Sequence, residues 1–167
     1  MRYLFADRVV EIDAHGAGTI ATAKAFVRTE EYFDGTFRPH NEVPASLVLE
    51  TMATAGSFVL TAMSRYQAQG LLMKVNRADF PHPVLAGEQM VVRARVVGTQ
   101  GGWGRAEISD EPFGVAEVRA ECLVNDRRVA DAALMFLGLP MDWTFGPRQE
   151  DVLTGILELL GYVDTRP

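Results

Sequence analysis

"VPASLVLETMATAGSFVLTAMS", residues 43–64, is the stretch on which the fold turns. One of its residues is charged, Glu50, and no other charge lies between Glu42 and Arg65. Pro44 suits a first helical turn, where its missing N–H leaves no bond unmade. The apolar run reaches about Met63, and Gly70 beyond it reads as a stop. A helix that is apolar nearly all round must be covered on most sides. A membrane span is the rival reading. Six Ser or Thr residues and a central Glu in the window exclude it, so no membrane partner is expected. An ionised carboxylate buried alone costs on the order of several kcal/mol. Glu50 therefore needs a reason to be there.

The flanking sequence reads as strands. "RVVEIDAHGAGTIATAKAFV" (8–27) gives two extended segments broken by His15-Gly16-Ala17-Gly18. After the helix, "LLMKVNRADF" (71–80) leads into the turn "PHPVLAGE", and residues 90–97 then alternate. In "VAEVRAECLV" (115–124), Ala116, Val118, Ala120, Cys122 and Val124 point inward, with Glu117, Arg119 and Glu121 outward. Asn125-Asp126 fits a tight hairpin turn, and "RRVADAALMFLGL" returns as the partner strand. The segment from Arg148, "RQEDVLTGILELL", reads as a short amphipathic helix. A curved antiparallel sheet wrapped around one long central helix is the simplest solution, an α+β fold. It occupies one domain over 1–140, with a C-terminal tail at 141–167.

Composition narrows the function classes. The chain of 167 residues is 48% hydrophobic and 23% charged, as in an ordinary globular protein. A net charge of -6 argues against a nucleic-acid partner or an anionic membrane surface. The single cysteine, Cys122, cannot form an internal disulfide. "MRYLFADRVVEID" reaches Asp7 too soon for a signal peptide, so a cytoplasmic location is expected. His15, His40 and His82 lack zinc-site spacing, so no metal is expected, nor any other cofactor. "GTQGGWG" (98–104) is glycine-rich but matches neither nucleotide-binding loop pattern, and a hairpin turn is its simpler reading.

Three words in order resemble the β-hydroxyacyl-acyl-carrier-protein dehydratases, a family of hotdog-fold proteins. "YLFADRVVEID" is similar to the family's opening strand. "YFDGTFRPHNEVPASLVLETMA" (32–53) matches its Phe-x-Gly-His-Phe-Pro-Gly-x-Pro-x-x-Pro-Gly-x-x-x-x-Glu-x-Met block with the spacing kept. "VNRADFPHPVLAGEQM" matches its Lys-Ala-Arg-Phe-x-x-Pro-Val-x-Pro-Gly-Asp segment. The resemblance covers roughly residues 3 to 138. Residues 101–112 read as an insertion, and the tail after Pro140 lies outside it.

The resemblance implies a hotdog fold and a homodimer with two acyl tunnels at its interface, with a hexamer of three dimers as a further possibility. It implies a lyase of fatty-acid or polyketide metabolism acting on 3-hydroxyacyl thioesters of acyl carrier protein or coenzyme A. A loop histidine of one chain removes the α-proton, and the helix carboxylate of the other helps the β-hydroxyl depart. Backbone N–H groups at the helix start polarise the thioester carbonyl. Glu50 falls on the catalytic carboxylate. Its apolar surroundings are expected to raise its pKa, as suits a general acid. Phe33, Gly35, Phe37, Pro44 and Ala45 fall on the substrate-binding positions, Ala45 replacing a glycine.

The histidine position holds Thr36. A threonine hydroxyl has no useful basicity near neutral pH, and losing a positioned base costs about 10²–10⁴-fold in rate. His40 is the alternative base. It lies four residues on, about 13 Å along an extended chain, beside the restricted Pro39. A loop-surface histidine is its blander reading, and a turn residue is the reading for His82. Glu50 likewise has a structural reading, as a buried acid hydrogen-bonded to a Ser, a Thr or the backbone. Phe58, Met52, Met63 and Leu60 read as core. Trp103 either covers a tunnel mouth or caps a hairpin.

Three functions remain open. One is a dehydratase-like enzyme with Glu50 and an unconventional partner, thioester hydrolysis by Glu50 being a variant. The second is a non-catalytic acyl-binding or partner subunit, and the third a purely structural subunit.

Overall fold

The computed structural model describes residues 5–29, 33, 41–103 and 114–140, together with Gly155, Glu158 and Gly161 of the tail. Among these, six strands and one long helix follow in order: β1 (Arg8–Asp13), β2 (Thr19–Ala25), α1 (Ala45–Met63), β3 (Ala68–Asp79), β4 (Gln89–Gly101), β5 (Gly114–Val124) and β6 (Arg127–Pro140). The strands form one sheet in the order β1-β2-β4-β5-β6-β3, with every neighbouring pair antiparallel. This is the expected α+β hotdog architecture, one helix laid on a six-stranded antiparallel sheet.

Alternation decides which face the helix covers. Ile20, Val92, Ala94, Val118, Cys122, Leu134 and Phe136 are buried, while Arg93, Arg95 and Arg119 between them are exposed. α1 supplies Val48, Met52, Ala55, Val59 and Leu60 to the same core. The inward set read from β5 is the observed one. The hairpin into β6 turns through Asn125 and Asp126 at φ 49° and 62°, the left-handed pair a two-residue turn demands.

The helix and sheet approach closely because of one glycine. A Cβ on Gly56 would stand 2.8 Å from Cζ of Phe136 and 3.3 Å from Cγ1 of Val118. Phe136 is fully buried and has little room to yield. Where β3 passes the helix, a Cβ on Gly70 would meet Leu60 Cδ1 at 2.9 Å. Gly70 therefore lies inside a strand and does not stop the helix, contrary to the sequence reading. The stop is made by Arg65 and Tyr66, at φ 53° and 64°, with the Tyr66 N–H donating to the Thr61 carbonyl at 3.0 Å. The Ser64 hydroxyl accepts the Ala68 N–H at 3.0 Å and fixes the start of β3.

Two further features complete the frame. Trp103 is buried in the core cluster. Residues 104–112, the rest of the expected insertion, lie outside the described residues, as does most of the tail. In the β1–β2 turn the Asp13 carboxylate accepts the N–H groups of Gly16 and Ala17, both at 2.8 Å. The bond from Ala17, then that from Gly16, holds this carboxyl below the usual aspartate range, with nearby His15 adding to the effect. Burial pushes the Cys122 thiol up to about 12.

Replacing Gly56 by valine forces the helix off Phe136. The expected cost is about 1–3 kcal/mol of overpacking, against about a few tenths of a kcal/mol returned in helix propensity. Urea unfolding should show a lower midpoint than wild type. The Asp13 caps act through the carboxylate, so their contribution is present above the ordinary aspartate range and is lost as pH falls through the lowered value. Asp13→Ala should melt below wild type at neutral pH, with the gap closing on acidification, as read by circular dichroism across a pH series.

Candidate functional site

The start of α1 is built by a backbone strap. Val43 N–H donates to the Val84 carbonyl at 2.8 Å, and Ala86 N–H donates to Asn41 at 2.7 Å. Glu42 and Leu85 bridge between these bonds, and Gly87 N–H reaches Phe26 at 2.8 Å. Pro44 stands immediately before the helix, its carbonyl accepting the N–H groups of Leu47 at 2.9 Å and Val48 at 3.2 Å. No side chain caps this end, and no acid lies in the first turn. The N–H groups that open a helix carry the positive end of its dipole, and here they do so beside Pro44.

A cavity of about 290 Å³ opens beside this terminus, lined by Ala45 and Val48 of α1 with Phe80, His82, Val84 and Val129 among its walls. Ala45, which the sequence picked out, is one of the residues that line this cavity. Phe80, Val84 and Val129 were missed, because they come from the turn after β3 and from the start of β6. No local pattern connects those places to residue 45. His82 does lie in a bend, as expected, with the Arg127 guanidinium 2.7 Å from its ring nitrogens.

Glu50 requires a correction. The sequence reading enclosed it within the sheet, but its side chain is exposed. α1 buries Val48, Met52, Ala55, Val59 and Leu60 toward the strands, and Ser46, Glu50 and Thr54 follow the i, i+4 line on another side. The sheet covers one side of the helix, so the chain's own strands do not supply the expected desolvation. Leu47 and Leu49, within one turn of Glu50, are only partly buried, as is Phe58 about two turns further on, leaving apolar surface on α1. Glu50 does not line the cavity at the helix start. It lies five positions beyond Ala45, a rise of about 7.5 Å along the axis.

The other expected site residues divide simply. Phe33 is described and packs against the core. Gly35, Thr36, Phe37 and His40 lie outside the described residues.

Residues 1–133 match the FabA-like domain family. The chain belongs to it. Similar proteins include a 3-hydroxyacyl-acyl-carrier-protein dehydratase, FabZ, of Bartonella quintana, 34% identical over 121 residues, which span 71% of this chain and 77% of that protein. The FabZ of Protochlamydia amoebophila is 29% identical over 135 residues, 81% of this chain and 79% of its own length. Among solved structures, a phenylacetic acid degradation-related protein of Ralstonia eutropha JMP134, described as a putative thioesterase, aligns with a TM-score of 0.59 at 18% identity. That alignment covers 77% of this chain and 82% of that one. A Streptococcus mutans protein solved bound to acetyl-CoA aligns with a TM-score of 0.60 at 9% identity, over 84% and 94% of the two chains. At such identities these structures speak to the hotdog fold alone.

Proposed function

We propose that this member of the FabA-like family processes 3-hydroxyacyl or acyl thioesters, of carrier protein or coenzyme A, at a site shared by two copies, with Glu50 as its acid–base residue. Glu50 carries this reading. It is the sole charge on α1, and it sits on the side of the helix that the chain's own sheet leaves open, among partly buried apolar residues. A second copy laid there would bury the carboxylate beside an acyl chain.

The edge of the sheet supports a pairing of that kind. β3 is a terminal strand of twelve residues, and Leu71, Met73 and Val75 are 49%, 51% and 37% exposed. An open edge strand of this length that exposes three apolar side chains can take another strand, and covering it removes that hazard. Homodimerisation through β3 is the proposal, in the cytoplasm, with assembly of dimers into hexamers as its extension.

The chemistry follows from the residues in place. Dehydration removes the α-proton and expels the β-hydroxyl as water, giving an α,β-unsaturated thioester. Protonated Glu50 can deliver the proton that the departing hydroxyl needs. Thr36, at the family's histidine position, cannot accept the α-proton. The chain is therefore a weak dehydratase or an acyl-binding subunit. Hydrolysis is the second reading, favoured by the same Glu50, because an ionised carboxylate can activate water without histidine.

Purified protein offered 3-hydroxyacyl and plain acyl thioesters on both carriers separates these readings. Glu50→Gln should reduce any turnover about 10²-fold or more, and Thr36→His should raise dehydration by about 10²–10⁴-fold. If neither substitution changes turnover and acyl thioesters fail to bind, the proposal falls. In sedimentation velocity, the natural protein should run as a dimer or hexamer and Leu71→Lys/Met73→Lys as smaller species. A monomeric natural protein refutes the shared site.

A further inference from the structure

The sheet face turned away from α1 carries a pattern that the thioester reading does not use. Reading across the strands, one row runs Thr19 (β2), Arg95 (β4), Arg119 (β5), Ala133 (β6) and Arg77 (β3), each opposite the next. The neighbouring row runs Ala21, Arg93, Glu121, Asp131 and Asp79. Arg93 approaches Glu121 at 3.9 Å, and Arg77 pairs with Asp79 and reaches Asp131 at 3.7 Å. Arg95 and Arg119 face each other directly across the β4–β5 ladder, and among the described residues neither has an acidic partner.

Like charges directly opposite one another destabilise a sheet. Nothing in the packing requires these two arginines, since both are exposed. They stand in a recess of about 690 Å³, within the size range of small-molecule sites. Five arginines line it (Arg77, Arg93, Arg95, Arg119 and Arg128) against three carboxylates (Glu11, Glu121 and Asp131). The local balance is positive in a chain whose net charge is -6. Ala21, opposite Arg93, and Ala133, between Arg119 and Arg77 in its row, add short side chains to the lining.

We infer that this recess binds a small molecule carrying linked phosphate groups, held by Arg95 and Arg119. A guanidinium presents two parallel N–H donors to the oxygens of one phosphate. Two such forks, carried at paired positions on adjacent strands whose backbones run about 4.8 Å apart, suit two linked phosphates better than one carboxylate. The concavity favours a small ligand over the flat face of a second copy, whose own acids would have to displace the existing Arg77 and Arg93 pairs. The sheet separates this recess from α1, so the inference stands apart from the role given to Glu50.

Isothermal titration calorimetry of the full chain at low salt tests it, with pyrophosphate, inorganic phosphate, adenosine diphosphate and citrate as probes. Pyrophosphate should bind saturably, and Arg95→Gln/Arg119→Gln should weaken it by about tenfold or more. Without ligand, that double variant should melt at or above the wild-type temperature at low salt, because its like-charge pair is gone. Tighter binding of adenosine diphosphate identifies a nucleotide as the phosphate source, and equal binding identifies a free oligophosphate. Absent pyrophosphate binding, binding unchanged in the double variant, or citrate binding as tightly overturns the inference. Salt-sensitive self-association abolished by the double variant, with no pyrophosphate effect, assigns the face to a second copy instead.

Discussion

The close seat of α1 on the sheet is the constraint from which the other features follow. Gly56 lets the helix backbone come down onto Phe136 and Val118, and Gly70 lets β3 pass beneath Leu60. Close packing of this kind maximises dispersion contacts and leaves no void for water. It also commits the helix to one orientation. With Met52, Val59 and Leu60 turned toward the strands, the line of Ser46, Glu50 and Thr54 must turn elsewhere.

A helix so apolar, half covered, is an unfinished surface. Leu47, Leu49 and Phe58 remain partly exposed on α1, and Leu71 and Met73 remain exposed on the β3 edge. α1 is long and apolar enough to cross a membrane, yet over half of its most apolar window is buried inside the chain. Hydrophobic burial accounts for this better than a span would, since the helix already has a sheet to cover. The proposed second copy would cover what the sheet leaves open and would move Glu50 from water into an apolar setting. That change of environment is the ordinary means of tuning a carboxylic acid for proton transfer near neutral pH.

The two faces of the sheet serve different ends. The inner face is mainly apolar, from its alanines and valines up to Met90 and Phe136, because it must mate with a helix. The outer face has no such obligation, so arginines and acids share it in two rows. Most of those charges pair across strands at distances where solvent screening leaves each pair little weight. Arg95 and Arg119 break the pattern, and a sheet gains nothing in stability from placing them opposite each other.

Much of this was legible in the linear chain. Strict alternation in 115–124 identified the inner face of β5, and Asn125-Asp126 identified the hairpin, because both signals are local. The family block spanning 32–53 located Glu50 and Ala45 by spacing alone. Gly70 misled, because its local meaning as a helix stop gave way to a tertiary need, the clearance of Leu60. Glu50 misled for a related reason. An apolar run indicates that a helix will be buried, and it does not say which side a single sheet will cover. The lining of the cavity beside Ala45 was likewise out of reach, since Phe80, Val84 and Val129 meet there only after the sheet has closed. Periodicity and turn chemistry are set by neighbours in sequence, so the sequence alone determined the elements, their inward faces and the family. Which surfaces remain open depends on contacts between residues far apart in the chain, and only the tertiary structure decided that.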